Sequence, residues 1–338
     1  MPYISVTVTS YNYGKYIIRQ LESIYSQTFR DFEIVVADDG STDNSVKLIE
    51  EFIRSHNDIS IRLIKSNHAG LQANRNRVLE AATGKYVMFC DSDDYMDPDC
   101  LEQLAREAKE IDADRVVCHV RDVNEKGKVL QIEEQWGSIP SKWMCNLNHG
   151  CLYRRSIFFD YNIRFVDAAS ADDFCISSIY NCYAKRVGFV KKPLYNWFVH
   201  SDSTSGAKKT INEITGSNML FRVLKQVRGV RNFLFGNQKD WDLFIYQTIR
   251  FYYFSIFHCY RYVSIKDTLK DYKYMHNAMI SFYKRYLSNP YINLKRKSPA
   301  RRYAQMIIWV SALLERTRMM PVALIIYHFI SKVHYFNV

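Results

Sequence analysis

The 338-residue sequence contains no CxxC pair, and its eight cysteines (Cys90, Cys100, Cys118, Cys145, Cys151, Cys175, Cys182 and Cys259) are too sparse for a small disulfide scaffold. They read as reduced thiols, mostly buried, in a cytosolic protein. A long apolar run is also absent: "MIIWVSALL" and "MMPVALIIYHFI" fall short of the ~20 residues of a spanning helix. The chain is therefore expected to lie on a membrane at most, not to cross one. The opening "MPYISVTVTSYNYG" has neither the basic start nor the continuous apolar core of a signal peptide, and reads as the direct beginning of the fold. No GxGxxG follows the first β-rich run and no GxxxxGK[ST] occurs, which argues against a dinucleotide oxidoreductase and a P-loop enzyme.

What is present is ample apolar material, 48% hydrophobic with 15% aromatics, enough for one large domain or two ordinary ones. The formal net charge of +11 points to an anionic partner: nucleic acid, a phosphorylated ligand or an acidic membrane surface. No nucleic-acid-binding module accompanies that charge, so nucleic acid is discounted.

Short β-rich runs alternate with segments of helical period. "YISVTVTS" (3–10), "FEIVVAD" (32–38), "ISIRLIK" (59–65) and "KYVMFCD" (85–91) predict strands, and 16–27, 43–55 and 71–82 predict helices. The alternation implies an α/β fold, a mainly parallel sheet with helices on both faces. Ligands of such sheets bind beyond the carboxyl ends of the strands, where this sequence places Ser10-Tyr11-Asn12, Asp38-Asp39-Gly40-Ser41, Asn67-His68 and Asp91-Ser92-Asp93-Asp94.

The last of these loops lies in "FCDSDDYMDP". Without a glycine cradle, a phosphate site needs a cation, and Mn²⁺ or Mg²⁺ takes one or two carboxylates plus phosphate oxygens. Asp91 and Asp93 stand two apart, so in a continuing strand they share a side and one ion can meet both. Asp97 and Asp99 read instead as helix caps, with Pro98 in the first helical turn. Asp94 fits support of its neighbours and plain solvation equally.

"ISVTVTSYNYGKYIIRQLESIYSQTFRDFEIVVADDGSTDNS" and "NHAGLQANRNRVLEAATGKYVMFCDSDDYMDPDCL", followed by "GCLYRRSIF", "ADDF" and "KKPLYNWFVHSDSTS", resemble family 2 glycosyltransferases, which are inverting, use nucleotide-sugars and have the GT-A fold. The resemblance covers about 1–206. It implies a GT-A (Rossmann-like), mixed but mainly parallel sheet, with residues 207–338 as a separate helical region for acceptor, oligomer or membrane association.

By the same resemblance Thr9, Tyr11 and Asp39 contact the base and ribose of the donor, while Asp38 braces its loop. Arg75 matches an arginine near the nucleotide and metal, an exposed helix arginine being the alternative; Asn74 and Arg77 depart from the family's Ala-Arg-Asn-x-Gly. Asp91, Ser92 and Asp93 correspond to the DxD-type motif, with Asp93 the direct metal ligand and Asp91 facing the ribose or a metal-bound water. Asp173 matches the general base, and Asp172 stands where Glu is usual. His200 matches a histidine that can be a third metal ligand, although Phe198 replaces a frequent Arg. Ser203 and Ser205 fall in the loop that closes over the diphosphate. A single-sugar transferase is expected rather than a processive synthase, because no QxxRW occurs. The implied partners are a UDP-sugar and a glycan or lipid-linked glycan acceptor of capsule, O-antigen or lipooligosaccharide assembly.

From Lys295 onward the chain carries Lys295, Arg296, Lys297, Arg301, Arg302, Arg316, Arg318 and Lys332 against Glu315 alone. Such a stretch suits an anionic inner-leaflet surface; a solvated basic face beside an oligomer or core helix is the alternative. A sugar nucleotidyltransferase and a non-catalytic sugar-binding scaffold are the rival functions.

Overall fold

A computed structural model describes residues 1–136, 140–145, 147–165, 172–201, 238–254, 256–257, 264–295 and 302–335. The chain divides into two compact units: 1–135, 145–167 and 183–207 form the first, and 136–144, 168–182 and 208–338 the second.

The first unit opens with β1 (Ile4–Ser10), α1 (Ile17–Tyr25), β2 (Phe32–Asp38), α2 (Ser45–Ser55), β3 (Ile61–Lys65), α3 (Leu71–Ala81) and β4 (Tyr86–Asp91). All seven residues of both β1 and β2 are buried, as expected of strands covered on both faces. On α1 the buried positions Ile17, Gln20, Leu21 and Ile24 recur at helical spacing. Each fully buried Ile, Leu or Val here contributes roughly 1.5–3 kcal/mol.

Then follow β5 (Tyr95–Met96), α4 (Cys100–Glu110), β6 (Arg115–Asn124), β7 (Val129–Glu133), β8 (Cys151–Arg154), α5 (Arg155–Asp160) and β9 (Val187–Val199). The sheet runs β3-β2-β1-β4-β8-β6-β9-β5, with β7 beside β6. The long ladders β1–β2, β1–β4, β2–β3 and β6–β9 are parallel, and the short ones at β5, β7 and β8 antiparallel. Register places Ser10 beside Asp38, and Thr9 beside Asp91. Three loaded loops thus leave one edge together.

Two expectations about 91–99 need correction. The strand ends at Asp91 and the chain turns over 92–93, so Asp91 and Asp93 do not share a strand face. Asp97 is no cap: its carboxylate accepts from Arg121 at 2.8 Å and from Asn196 at 3.0 Å, and α4 starts only at Cys100, which leaves Pro98 outside the helix. An arginine on β6 offers Asp97 a stronger, charge-assisted partner than the helix end does.

The second unit contains α6 (Asp172–Tyr183, whose last residue belongs to the first unit), α7 (Gln238–Phe254), α8 (Ile265–Phe282), α9 (Arg302–Arg316) and α10 (Met320–Tyr335). Its core includes Trp241, Phe244, Tyr246, Ile249, Tyr252 and Tyr253 on α7. At its centre Glu315 of α9 accepts from Tyr252 at 2.5 Å, from Tyr253 at 2.9 Å, and from Tyr286, with His276 Nδ1 at 3.2 Å. Burial raises the Glu315 carboxyl, but the bonds from His276, Tyr252 and Tyr286 outweigh it and hold the group below its ordinary range.

The seven described cysteines are all buried and none is in a disulfide. Burial pushes the Cys145 and Cys182 thiols up to about 12, so they are protonated and inert at neutral pH.

Candidate active site

A cavity of about 440 Å³ opens at the carboxyl edge of β1, β2 and β4, and Thr9, Tyr11, Asp39, Asp91, Ser92 and Asp93 all line it. Six of the sequence-predicted site residues therefore meet in one place. His68, from the third polar loop of that edge, lines it too, as do Trp197 and Asn74, to which the sequence reading gave no ligand role.

On the β2 side, Asp39 is fixed from four directions. Its Oδ1 accepts from Ala69 N at 3.0 Å and Arg77 at 2.9 Å, and its Oδ2 from Gly70 N at 2.8 Å with His68 Nδ1 at 2.9 Å. Arg77, which departs from the family pattern, thus clamps a predicted ligand residue. Asp38 accepts from Ser41 N at 2.8 Å and Ser41 Oγ at 2.6 Å, bracing the loop as expected. The loop leaves at Gly40 with φ +80°, where a Cβ would come within 3.0 Å of His68 N and 3.1 Å of Ser66 O. Only glycine allows the 38–41 and 66–70 loops to approach so closely. Above them the Tyr11 and His68 rings stack with centroids 4.2 Å apart, and both remain exposed. A flat aromatic ligand has a ready platform there.

Opposite lies the β4 turn. Arg75, 5% exposed, reaches Asp91 Oδ1 at 3.1 Å, so it is no surface arginine. His200 Nε2 lies 3.0 Å from Asp93 Oδ2, with the ring out of solvent. Asp94, fully buried, accepts from Tyr195 Oη at 2.8 Å and Phe198 N at 3.0 Å. It is therefore a brace between the turn and β9, not a solvated acid. The same Tyr195 hydroxyl accepts the Asp91 N–H at 3.3 Å. Arg19 of α1 donates to the Asp93 carbonyl and lies 3.7 Å from the Phe198 ring centroid.

A further histidine stands close. One oxygen each of Asp91 and Asp94 and one ring nitrogen of His149 lie within 4.8 Å of one another. The His149 loop is anchored by the buried Arg115, which donates to Cys145 O at 3.1 Å and Leu147 O at 2.9 Å. No local motif announces His149; the β4–β8–β6 pairing of distant segments brings it here.

Electrostatically the turn is over-supplied with negative charge. The enclosed setting raises the Asp91 carboxyl, but Arg75 and His149 outweigh it and lower the group. Burial and the neighbouring Asp91 raise Asp93 despite the His200 contact. Burial, Asp93 and Asp91 together push Asp94 well above the carboxylate range. Like charges at this spacing cannot all ionise comfortably without an added cation. The donor set of carboxylate oxygens and imidazole suits Mn²⁺ or Mg²⁺. His200 Nδ1 is buried with no hydrogen-bond partner among the described residues, so its ring is not fixed by the second-shell contact that metal-bound imidazoles commonly have. Carboxylates are accordingly the better-supported ligands. Asp173 lies in the first turn of α6, in the second unit. The side chain of Asp172, and Ser203 and Ser205, lie outside the described residues.

The sequence profile of the family described as Glycosyl transferase family 2 matches residues 5–169. The chain carries a family 2 glycosyltransferase domain. EpsH of Bacillus subtilis (strain 168) is 31% identical over 217 residues, 60% of this chain and 62% of its own length; YibD of Escherichia coli (strain K12), an uncharacterized glycosyltransferase, is 30% identical over 224 residues, 60% of this chain and 63% of its own length. The chain thus spans somewhat less than two thirds of these relatives. Among solved structures, Staphylococcus aureus TarS 1–349 in complex with UDP superposes with a TM-score of 0.70 at 19% identity, covering 99% of this chain and 92% of that one. A mannosyltransferase from Pyrobaculum calidifontis in complex with GDP-Man and Mn²⁺ superposes at 0.55 and 16% identity, covering 98% and 87%. The fold of the family 2 domain is the expected GT-A fold.

Proposed function

We propose that this chain is an inverting glycosyltransferase that moves one sugar from a nucleotide-sugar, a UDP-sugar first among them, to a glycan or lipid-linked glycan acceptor in bacterial capsule, O-antigen or lipooligosaccharide assembly. The observation that carries this reading is the β4 turn: three clustered carboxylates, of which the buried Asp93 and Asp94 have raised proton affinity, facing a cavity whose opposite wall is the rigidly held Asp39. Crowding of this kind is tolerated where a cation and an anionic ligand complete the balance.

In this reading Thr9, Tyr11 and Asp39 receive the base and ribose. Asp39 presents whatever acceptor capacity its four partners leave, in one fixed orientation. Asp91 and Asp93 would hold a divalent cation, with His200 behind Asp93 as the further ligand. Asp94 braces the turn, with Tyr195 and Phe198 each donating to one of its oxygens. When bound, such a cation supplies Lewis-acid stabilisation of a departing diphosphate. Arg75 sets the Asp91 carboxylate in place, and Ser92 borders the donor. Asp173 takes the proton from the acceptor hydroxyl, help worth ~10²–10⁴ in rate. The 1–206 segment is the catalytic part, working in the cytoplasm at the inner face of the cytoplasmic membrane, where lipid-linked acceptors are met. UDP in the TarS complex and GDP-Man with Mn²⁺ in the mannosyltransferase complex support a nucleotide-sugar of this general class.

The test is a donor-hydrolysis screen: nucleotide-sugars offered with Mn²⁺ or Mg²⁺, reading nucleoside diphosphate release. One donor should be turned over in a metal-dependent way. Release of pyrophosphate instead, or no donor bound and no change in metal or nucleotide binding on Asp93→Ala, would overturn the proposal.

A further inference from the structure

Helix α9 is built inside out. Its inward face holds Gln305, Ser311 and Glu315 together with Ile308 and Ala312, all buried. Its outward face is a stripe of Tyr303, Met306, Ile307, Val310 and Leu313, at the i, i+3, i+4, i+7, i+10 spacing of one helical side, with Trp309 next to it; Tyr303 is 61% and Ile307 52% exposed. On α10, Val322 and Ile326 are exposed as well. Between the two helices runs a groove of about 680 Å³ walled by Tyr303, Met306, Ile307, Val310, Ala323 and Tyr327, among others. A helix meant to face water carries its polar residues outward; this one spends them on its own interior. Gln305 donates inward to Asn293 O at 3.0 Å, and Glu315 closes the tyrosine cluster.

Charge selects what covers this face. From 295 to 338 every formal charge except the buried Glu315 is positive. Lys295 stands before α9, Arg316 is its last residue and Arg318 follows it, all three exposed. A second copy docking through the same face would bring like charges together, which disfavours self-association. An anionic lipid surface instead meets the basic ends with phosphates and the stripe with acyl chains, and Trp and Tyr are the residues suited to that boundary. Among the described residues no helix is long and apolar enough to cross a membrane, so the contact is one of lying in the interface.

We infer that the outer face of α9 and α10 is an interfacial docking surface for an anionic bilayer. This deepens the membrane placement proposed above by naming the surface responsible. The full chain is mixed with phosphatidylcholine vesicles, or with vesicles that also contain phosphatidylglycerol, and floated on a density gradient. The wild type floats with the anionic vesicles, weakly with the neutral ones, and is released by high salt. Ile307→Glu with Ile326→Glu alters exposed positions only and should lower the floated fraction about tenfold. Replacement of Lys295, Arg316 and Arg318 by Gln should lower it by a smaller, salt-sensitive factor. A wild type that stays with the soluble fraction overturns the inference, as does an unchanged double variant. A concentration-dependent dimer that the double variant converts to monomer, without vesicle binding, reassigns the face to self-association. Donor turnover is read separately in vesicle-free solution: its absence in the wild type would sink the enzymatic reading and leave the flotation result standing.

Discussion

Glu315 in the helical unit, and Asp93 and Asp94 in the β4 turn of the sheet unit, are carboxylates taken out of water, and they are furnished in opposite ways. Glu315 is a single acid met by three tyrosine hydroxyls and a histidine, and its proton affinity falls. The turn puts three acids together with Arg75 on one and His200 on another, and the affinities of Asp93 and Asp94 rise. The first arrangement completes itself and serves stability. The second is left short of positive charge, which is costly in a resting fold and useful to a binding site.

The contrast can be broken by exchanging what each cluster loses. Asp93→Asn keeps an acceptor for His200 but removes a charge: donor turnover should fall by about a thousandfold, taking several kcal/mol for Lewis-acid stabilisation. Its thermal midpoint should hold or rise, because repulsion is relieved; a marked drop in the midpoint would show that the turn is structural. Glu315→Leu should do the reverse, costing about 3 kcal/mol in denaturant unfolding because buried hydroxyls lose their acceptor. Its turnover per folded molecule should stay at the wild-type level. Smaller still, Tyr195→Phe removes the hydroxyl shared by Asp94 and the Asp91 amide, for about 1–1.5 kcal/mol of stability, with a rise in the metal concentration needed for half-maximal turnover.

The finest probe is pH. The folded-state affinity of Glu315 is lowered, so its contribution is fully present above the ordinary glutamate value of 4.5 and is lost as pH falls through the lower folded value. The stability gap between wild type and Glu315→Gln should therefore narrow on acidification below that value and stay flat from there to neutrality. A gap that widened with acid would contradict the assignment.

Much of the sheet unit was legible. Short β-rich runs bounded by polar turns placed β1 to β4 within a residue or two, and β2 with no error; β1, β2 and most of β4 are buried on both faces, while β3 at the sheet edge is only partly covered. The second half was not. β5, β7 and β8 have two, five and four residues, too short to hold a period, and the parallel β6–β9 ladder breaks register near His119, opposite Pro193. The same division holds at the site. Motif order named Asp39, Asp91 and Asp93, but not Arg77, Arg19 or His149, which act through partners 38, 74 and 58 positions away. Asp97 misled the reading because local cap chemistry was visible in the sequence and Arg121 was not.

The Thr9–Asp91 pairing also bears on how this chain can change length. Deleting one residue from the body of β4 would slide Asp91 into the place of Cys90, which is 3% exposed and packed in the core, and turn the carboxylate away from the cavity. The Glu125–Lys128 turn between β6 and β7 is exposed. Insertions and deletions should accumulate there, while the five residues that precede the acidic turn keep their count even as their side chains drift.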